Sequence, residues 1–300
     1  MNPAAQHDTV WRQFVMHLDS LQPELVEKLF ARYGAHSVTL TDAADNPILE
    51  PAPGEMPLWQ ETRITGLFPA AADLSLLREE LLQCSGLQTL PEHSIETLPD
   101  RNWEREWLKD FQPMRFGEHL WVSPAEFEID EDDAVVLRLD PGLAFGTGTH
   151  ATTALCLEWL DGMNLHGLRV LDYGCGSGIL SIAALKLGAD AASAVDIDPQ
   201  AITATRSNAV RNGVADRLTT HLNAQALAGP FAIVVANILA GPLLELARTI
   251  CACVEAGSKL ALSGILAEQA DAVMQAYRPW IEFEPVVKQD GWARLAGVRK

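Results

Sequence analysis

The length, composition and charge of this sequence exclude several classes of protein. Its 300 residues, 48% of them hydrophobic, are enough for two cores. No apolar stretch reaches the roughly 18 residues of a membrane helix, and no signal peptide is evident. The five cysteines are scattered and form no CxxC pair. The net charge of −18 arises mainly in residues 1–140, which carry 26 acidic and 10 basic side chains, whereas residues 141–300 carry 14 and 12. We therefore expect a cytoplasmic protein without a metal or a nucleic-acid substrate, whose acidic half serves either a basic partner or simple solubility.

The first hundred residues predict a small α/β domain. Their hydrophobic periods give four strands and two helices in the order βαββαβ, which is typical of a ferredoxin-like sandwich. The predicted strands cover residues 11–18, 37–41, 60–68 and 93–98, and the predicted helices cover 23–33 and 73–84. We therefore expect residues 1–100 to fold as a separate N-terminal domain.

A linker helix is predicted between residues 101 and 118. Trp103, Trp107 and Phe111 recur at a helical spacing and share one face of this helix. Aromatic stripes of this kind usually pack against a core. We therefore interpret this one as the docking face of the linker rather than as a ligand site.

Residues 119–300 predict a larger α/β domain in which strands alternate with helices. Such alternation gives a parallel sheet with helices on both faces. The strands are expected at 119–123, 134–138, 168–173, 191–196, 217–222, 231–236, 258–264, 281–287 and 292–298, and the helices at 150–161, 178–188, 199–212, 241–255 and 267–277. A turn at Gln289-Asp290-Gly291 joins the last two strands, so an antiparallel hairpin should form the edge of this Rossmann-like sheet.

The most specific local motif follows the predicted strand 168–173. Glycines occupy every second position at Gly174, Gly176 and Gly178, and a helix starts directly after them. Glycines at such a turn let a ligand approach the backbone at a helix N-terminus. A dinucleotide site would need its third glycine at position 179, where this chain has isoleucine, so a dehydrogenase is disfavoured. The D-x-G-x-G-x-G pattern that begins at Asp172 is typical of class I methyltransferases, which bind S-adenosylmethionine.

Two acidic residues lie at the end of the next predicted strand, which covers residues 191–196. Asp196 ends that strand, where a carboxylate with two acceptor oxygens can bind both hydroxyls of a ribose. Asp198 precedes Pro199, and proline suits the first position of a helix, so we interpret Asp198 as the helix N-cap. Cys175, inside the glycine loop, is interpreted as a small filler.

A polar residue directly follows the predicted strand 231–236. Ligands of open α/β sheets bind beyond the carboxyl ends of the strands, so Asn237 should lie beside the methyl donor. We predict Asn237 and Ile238 as the catalytic residues, whose side-chain and backbone oxygens orient an acceptor amine. Methyltransferases acting on a flipped base commonly have Pro-Pro and an aromatic residue after this position, whereas Leu239 and Ala240 complete the segment here. The alternative for Asn237 is a plain strand-ending turn.

These motifs together carry a resemblance to one family. The segment DPGLAFGTGTH at residues 140–150, followed by TT, LDYGCGSGIL, VDIDPQA and VANILAGPL, resembles the ribosomal protein L11 methyltransferases (PrmA), and the resemblance covers nearly the whole chain. It implies methylation of the N-terminal amine and certain lysines of that basic large-subunit ribosomal protein, with S-adenosylmethionine as the cofactor. It also implies that residues 1–100 recognise the substrate protein and that residues 119–300 bind the cofactor. The acidic charge and the lack of a long apolar stretch argue separately against a direct nucleic-acid substrate and a membrane.

The resemblance also assigns cofactor contacts. The predicted cofactor-binding residues are Thr153, Gly174, Asp196 and Asn237, which match the family's contacts, together with Gly176, Gly178, Phe145 and Thr147, which we add. His150 is either a general base or a hydrogen-bonding loop residue. Ala151 stands where the family commonly has proline, which affects the start of a helix rather than the chemistry. The oligomeric state is left open, with a monomer as one option.

Three other functions are weaker alternatives. A nucleic-acid methyltransferase would share the cofactor loop but would need a basic contact face. A small-molecule methyltransferase would not need the separate N-terminal domain. A cofactor-binding protein without catalytic activity would not need the Asn237 segment.

Overall fold

The computed structural model describes residues 11–44, 58–98, 112–124, 126–139 and 150–300. The chain divides into two compact units, Met1–Glu106 and Trp107–Lys300. The predicted domain boundaries at residues 100 and 118, and the roles assigned to the domains, stay predictions. Within the described ranges, no helix is long and apolar enough to span a membrane.

The first unit contains a four-stranded antiparallel sheet and two helices. Its strands are β1 (Trp11–His17), β2 (Ser37–Asp42), β3 (Thr62–Pro69) and β4 (His93–Leu98), in the spatial order β2-β3-β1-β4, and its helices are α1 (Pro23–Arg32) and α2 (Leu74–Ser85). Alternate strand residues, such as Phe14, Ile64 and Phe68, pack in its core. The predicted βαββαβ order and ferredoxin-like arrangement are confirmed.

The predicted linker helix falls only partly within the described residues. Residues 101–111, which hold the aromatic stripe, lie outside them. The remainder is not helical: Met114–Phe116 is strand β5, and Gly117 turns the chain with a φ of 70°. The helix prediction is therefore wrong for residues 112–118, because Pro113 lacks an amide hydrogen and glycine is a poor helix former.

A small separate sheet precedes the main sheet of the second unit. Strand β5 pairs antiparallel with β6 (Leu120–Ser123), and β6 pairs in parallel with β7 (Val135–Arg138). We expected β6 and β7 to belong to the main sheet, which is wrong. Apolar periodicity predicts a strand but not its partner. The backbone of Arg138 instead exchanges hydrogen bonds with the Asn212 side chain, at 2.7 and 2.8 Å.

The main sheet has eight strands. They are β8 (Arg169–Tyr173), β9 (Ala191–Val195), β10 (Leu218–His221), β11 (Phe231–Asn237), β12 (Val254–Leu266), β13 (Ile281–Phe283), β14 (Val287–Gln289) and β15 (Trp292–Arg299). Their order is β10-β9-β8-β11-β12-β15-β13, with β14 also paired to β15. Strands β8 to β12 are parallel and β15 runs antiparallel to β12, so the predicted Rossmann-like sheet is confirmed.

The C-terminal hairpin forms as predicted but its position in the sheet differs. Asp290 and Gly291 make the turn with positive φ values of 50° and 81°, and β14 pairs antiparallel with β15. The strand predicted at 281–287 is divided into β13 and β14, because Pro285 lies between them and cannot donate to a strand ladder. Strand β15 lies between β12 and β13, so it is inside the sheet rather than at its edge.

Helices cover both faces of the main sheet. They are α3 (Ala151–Asp161), α4 (Ile179–Lys186), α5 (Pro199–Arg211), α6 (Ala240–Cys253) and α7 (Ala270–Tyr277). Val170 and Leu171, consecutive residues of β8, are both fully buried but belong to different apolar clusters, as expected for a strand covered on both faces. The carboxyl ends of the parallel strands meet at one edge of the sheet, and the sequence motifs lie there.

Candidate active site

The glycine loop connects β8 to α4. Gly174, Gly176 and Gly178 all have positive φ values, of 79°, 53° and 79°. Side chains would not fit at either end of the loop: a Cβ on Gly178 would lie 2.7 Å from Thr205 Cγ2, and a Cβ on Gly174 would overlap the side chain of Ile238. The loop therefore requires glycine for its conformation and for its packing, and it presents bare backbone to a ligand.

Two buried side chains of α5 hold the glycine loop in place. Thr205 Oγ1 donates a hydrogen bond to the carbonyl of Gly176 at 3.0 Å, and Asn208 Nδ2 donates one to the carbonyl of Ser177 at 2.9 Å. We did not predict either residue from the sequence. Their partners lie 29 and 31 positions away along the chain, and contacts at that separation leave no local pattern.

Asp196 lies beside the loop, directly after β9. Its Oδ2 accepts a hydrogen bond from Gly176 N at 2.9 Å, and its Oδ1 accepts one from Asp198 N at 3.0 Å. The backbone therefore fixes the carboxylate, and each of its oxygens has further lone pairs for a ligand hydroxyl. Asp198 accepts a hydrogen bond from Gln200 N at 2.8 Å, so the prediction that it is the N-cap of α5 is confirmed.

A buried carboxyl group begins the glycine motif. Asp172 is 1% exposed, and its Oδ2 accepts a hydrogen bond from Ser181 N at 3.0 Å, whereas its Oδ1 has no hydrogen-bond partner among the described residues. Burial raises the pKa of Asp172 to about 7, against the opposing effect of the hydrogen bonds from Ser181. Sequence reasoning gave Asp172 no role beyond its place in the motif.

The cysteine of the loop is buried. Cys175 is buried, and its Sγ lies 3.3 Å from Thr205 Oγ1. Burial raises the pKa of the Cys175 thiol to about 12. A nucleophilic cysteine needs the opposite shift, so the interpretation of Cys175 as a small filler is confirmed.

Asn237 ends β11 at the same edge of the sheet. Its Nδ2 donates a hydrogen bond to Thr153 Oγ1 at 3.3 Å, and Thr153 is buried in the first turn of α3. Because Nδ2 is engaged in this way, Oδ1 is the amide atom that can accept a hydrogen bond from an amine. The carbonyl of Ile238 is the next backbone acceptor along the chain. The structure thus brings Thr153 and Asn237, predicted from separate motifs, into contact.

His150 caps the N-terminus of α3. Its Nδ1 accepts a hydrogen bond from Thr152 N at 3.3 Å, and its ring meets the ring of Trp292 edge-on, with centroids 4.6 Å apart. Burial lowers the pKa of His150. The capping contact favours the hydrogen-bonding interpretation of His150 over the general-base one.

Two exposed apolar side chains lie beyond the ends of adjacent strands. Ile197 follows Asp196 and is 91% exposed, and Leu222 follows β10 and is 51% exposed. Val195 and His221 are partners in the parallel register, so Ile197 and Leu222 extend from the same edge of the sheet. We did not predict them as site residues. For Ile197, the signal available in the sequence was an apolar residue directly after Asp196, the acidic residue that follows β9.

Two predicted cofactor contacts cannot be placed. Phe145 and Thr147 lie outside the described residues, as does the rest of the segment 140–149. In the part of the chain that the structure describes, no group of three or more His, Cys, Asp or Glu side chains could hold a metal ion.

Comparison with known proteins gives consistent matches over nearly the whole chain. The sequence pattern of the family described as "Ribosomal protein L11 methyltransferase (PrmA)" matches residues 10–300. The ribosomal protein L11 methyltransferase from Ectopseudomonas mendocina is 53% identical, and the match covers 97% of this chain and 99% of the relative. The one from Methylococcus capsulatus is 51% identical, and the match covers 97% of this chain and 100% of the relative. Among solved structures, a ribosomal protein L11 methylase from Lactobacillus delbrueckii subsp. bulgaricus is 33% identical with a TM-score of 0.59, and the match covers 63% of this chain and all of the other.

Proposed function

Because this chain belongs to the ribosomal protein L11 methyltransferase family (PrmA), we propose that it transfers methyl groups from S-adenosylmethionine to the lysine side-chain amines and the N-terminal amine of ribosomal protein L11. The observation that carries this proposal is the arrangement at one sheet edge. The glycine loop follows β8, with Asp196 after the strand on one side of β8 and Asn237 at the end of the strand on the other side. The Asn237 amide is held by Thr153, and its oxygen is available to an amine. A donor site and an acceptor site therefore adjoin each other.

The donor site has the features that S-adenosylmethionine requires. The bare backbone at Gly174, Gly176 and Gly178, which all have positive φ values, would run under the amino-acid part and the ribose. The oxygens of Asp196, already oriented by two backbone amides, would accept the two ribose hydroxyls. We assign further contacts to the Thr153–Asn237 pair, and to Phe145 and Thr147 on the basis of the motif.

The purine of the cofactor would meet apolar side chains. Ile197 and Leu222 are large, exposed and placed at the same sheet edge as Asp196. A purine ring removes such surface from water when it binds, which offsets part of the cost of ordering the ligand. The order along the edge, from Leu222 and Ile197 through Asp196 to Asn237, matches a ligand with its purine at one end and its reacting methyl at the other.

Methyl transfer to an amine depends on the state of the acceptor. A lysine with a pKa near 10.4 must lose a proton first, which costs about 4–5 kcal/mol at pH 7. S-adenosylmethionine supplies an activated methyl group and a positive sulfonium, and the sulfonium disfavours a second positive charge beside it. We propose that Asn237 Oδ1 and the Ile238 carbonyl accept hydrogen bonds from the amine and so direct its lone pair at the methyl carbon.

The substrate protein would be recognised by the first unit. Residues 1–100 carry 15 acidic and 5 basic side chains, and this excess suits a basic ribosomal protein through long-range attraction. We propose that residues 1–100 form this recognition domain, that residues 119–300 form the catalytic domain, and that a nucleic acid is not the direct substrate. Since the proposed substrate is a ribosomal protein, we expect the reaction in the cytoplasm. One copy suffices, because Asp196, Asn237 and the glycine loop all belong to one chain.

The test is intact-mass analysis of ribosomal protein L11 taken from cells that lack the endogenous activity. After incubation with this protein and S-adenosylmethionine, L11 should gain mass in multiples of one methyl group, and fragment masses should locate the gain at lysines and the N-terminus. The variant Asn237→Ala should abolish the gain, whereas Asn164→Ala, in an exposed turn before β8, should not. An unchanged L11, with methyl groups appearing in ribosomal RNA from the same cells, would overturn the substrate assignment.

A further inference from the structure

The acceptor segment Asn237–Ile238 lies between two glycines, Gly174 directly after β8 and Gly264 within β12. On one side, the side chain of Ile238 occupies the place where a Cβ on Gly174 would be. On the other side, the backbone of Ile238 passes directly over Gly264 in β12. A Cβ on Gly264 would overlap the carbonyl oxygen of Ile238 and would lie 2.7 Å from the Ile238 carbonyl carbon and 2.9 Å from the Ile238 nitrogen. Both strands flank β11 in the sheet.

Gly264 belongs to an irregularity in β12 at the level of Asn237. Asn237 pairs with Ser263, the last residue pair between β11 and β12. On the other edge of β12, Leu262 pairs with Leu295 and Ile265 pairs with Ala293, so that Ser263 and Gly264 together oppose a single residue of β15. This arrangement is a β-bulge, and within it Gly264 has a φ of +83°, a conformation that favours glycine over residues with a side chain. Ser263 Oγ donates a hydrogen bond to the Ala293 carbonyl at 3.0 Å and helps to fix it.

We propose that Gly264 is a positioning residue for methyl transfer, which together with Gly174 fixes the peptide between Asn237 and Ile238 and thereby the acceptor oxygens on both residues. The proposal rests on the function proposed above. In the proposed role, Gly264 contacts neither the substrate nor the cofactor loop. It acts through the Ile238 backbone, because the absence of a side chain lets this segment approach β12 closely.

A substitution at Gly264 should displace the acceptor segment. The atoms that a new Cβ would meet are backbone atoms of Ile238, which cannot turn aside as the end of a flexible side chain can. The segment cannot retreat freely towards β8 either, because Ile238 already packs against Gly174. A displacement of roughly 1 Å in a reacting geometry can lower a rate by about a hundredfold. Cofactor affinity should fall less than kcat, because the displacement disturbs only the contact from Asn237, whereas Asp196 and the loop backbone are held by other contacts.

The chain offers a matched control for backbone strain. Gly257 lies in the same strand, has a φ of +76°, and a Cβ built on it would meet no atom within 4 Å. Gly264→Ala and Gly257→Ala therefore impose a similar conformational penalty, and only the first creates the contact with Ile238. We expect Gly264→Ala to lower kcat for L11 methylation about a hundredfold and to raise the cofactor Kd by no more than about tenfold, and Gly257→Ala to leave kcat within about threefold.

The position of the segment can be measured without any substrate. Asn237–Ile238 is the only Asn-Ile peptide in the sequence, so ¹³C-carbonyl asparagine combined with ¹⁵N-isoleucine gives a single NMR resonance for this peptide bond. It should shift in Gly264→Ala and not in Gly257→Ala. An unmoved resonance, a kcat loss equal to that of Gly257→Ala, or a loss that lies entirely in cofactor affinity would each overturn the proposal.

A second variant tests the other side of the segment. Ile238→Ala keeps every backbone atom but removes the side chain that packs on Gly174. We expect kcat to fall about tenfold, and by a larger factor than cofactor affinity, because the segment is then held on one side only. If Gly264→Ala does not fold, Ile238→Ala is the deciding variant, and a wild-type kcat for it would refute the proposal. If wild-type protein does not methylate L11 at all, the proposed function fails, whereas the resonance and cofactor measurements still test the positioning role.

Discussion

The buried carboxyl of Asp172 should make folding stability depend on pH. Its pKa is raised by burial from an ordinary value of 3.8 to about 7, so the folded state favours the protonated form. The unfolded chain releases that proton at a lower pH. Stability is therefore highest below pH 4 for this group, is lost as the pH rises towards 7, and changes no further once both states are ionised.

The size of this effect follows from the two pKa values of Asp172. Each pH unit between them costs about 1.4 kcal/mol, so the free energy of unfolding should fall by about 2–3 kcal/mol from this group between pH 5 and pH 8. Asp172→Asn does not titrate and its amide oxygen can still accept from Ser181 N. We therefore expect the difference in unfolding free energy, variant minus wild type, to rise by about 2–3 kcal/mol over this range.

The assay is urea denaturation at pH 5 and pH 8, monitored by hydrogen exchange in peptides from residues 169–186. These peptides report on the second unit alone. Asp190→Asn, at an exposed residue before β9, removes the same formal charge and is the control for net charge. Parallel stabilities of wild type and Asp172→Asn from pH 5 to pH 8 would refute the reasoning, because they would mean that Asp172 is solvated or paired in the folded state.

Three further predictions concern the site directly. Asp196→Asn should weaken S-adenosylmethionine binding about 10- to 100-fold by calorimetry, because hydrogen bonds from hydroxyls to a charged acceptor are lost; unchanged affinity would remove Asp196 from the ribose site. Thr153→Val should lower kcat about tenfold and cofactor affinity less, since it frees the Asn237 amide to rotate, and a wild-type kcat would show that the contact with Asn237 does not matter. Cys175→Ser should retain activity within about threefold, because the raised pKa keeps the thiol protonated and unreactive; loss of activity with normal folding would contradict the filler role.

The sequence was sufficient for the residues whose position follows from a strand end. Asp196 and Asn237 were predicted because an apolar strand stops at a polar residue, and parallel strands place those ends at one edge. The turn at Asp290 and Gly291 and the cap at Asp198 were predicted for similarly local reasons. In each case the side chain or backbone of the residue itself determines the local structure.

Features that depend on partner choice were not predictable in this way. Strands β6 and β7 look the same by periodicity whether they join the main sheet or pair with each other. The support of the glycine loop by Thr205 and Asn208 depends on how α5 packs. The requirement for glycine at position 264 is set by the register of β12 against both β11 and β15, which no window of one strand contains.

The donor and acceptor halves of the site share one contact, and this explains why two glycines near Ile238 should behave differently. Gly174 lies in the cofactor loop and also under the Ile238 side chain, so a side chain there would disturb both cofactor binding and the acceptor segment. The atoms nearest to a Cβ on Gly264 are all in the Ile238 backbone. A change at Gly174 should therefore alter Kd and kcat together, whereas a change at Gly264 separates them. The strand that carries the acceptor residue is thus held to the donor loop by the packing of Ile238 on Gly174. A ligand that moves the loop will therefore also displace Asn237.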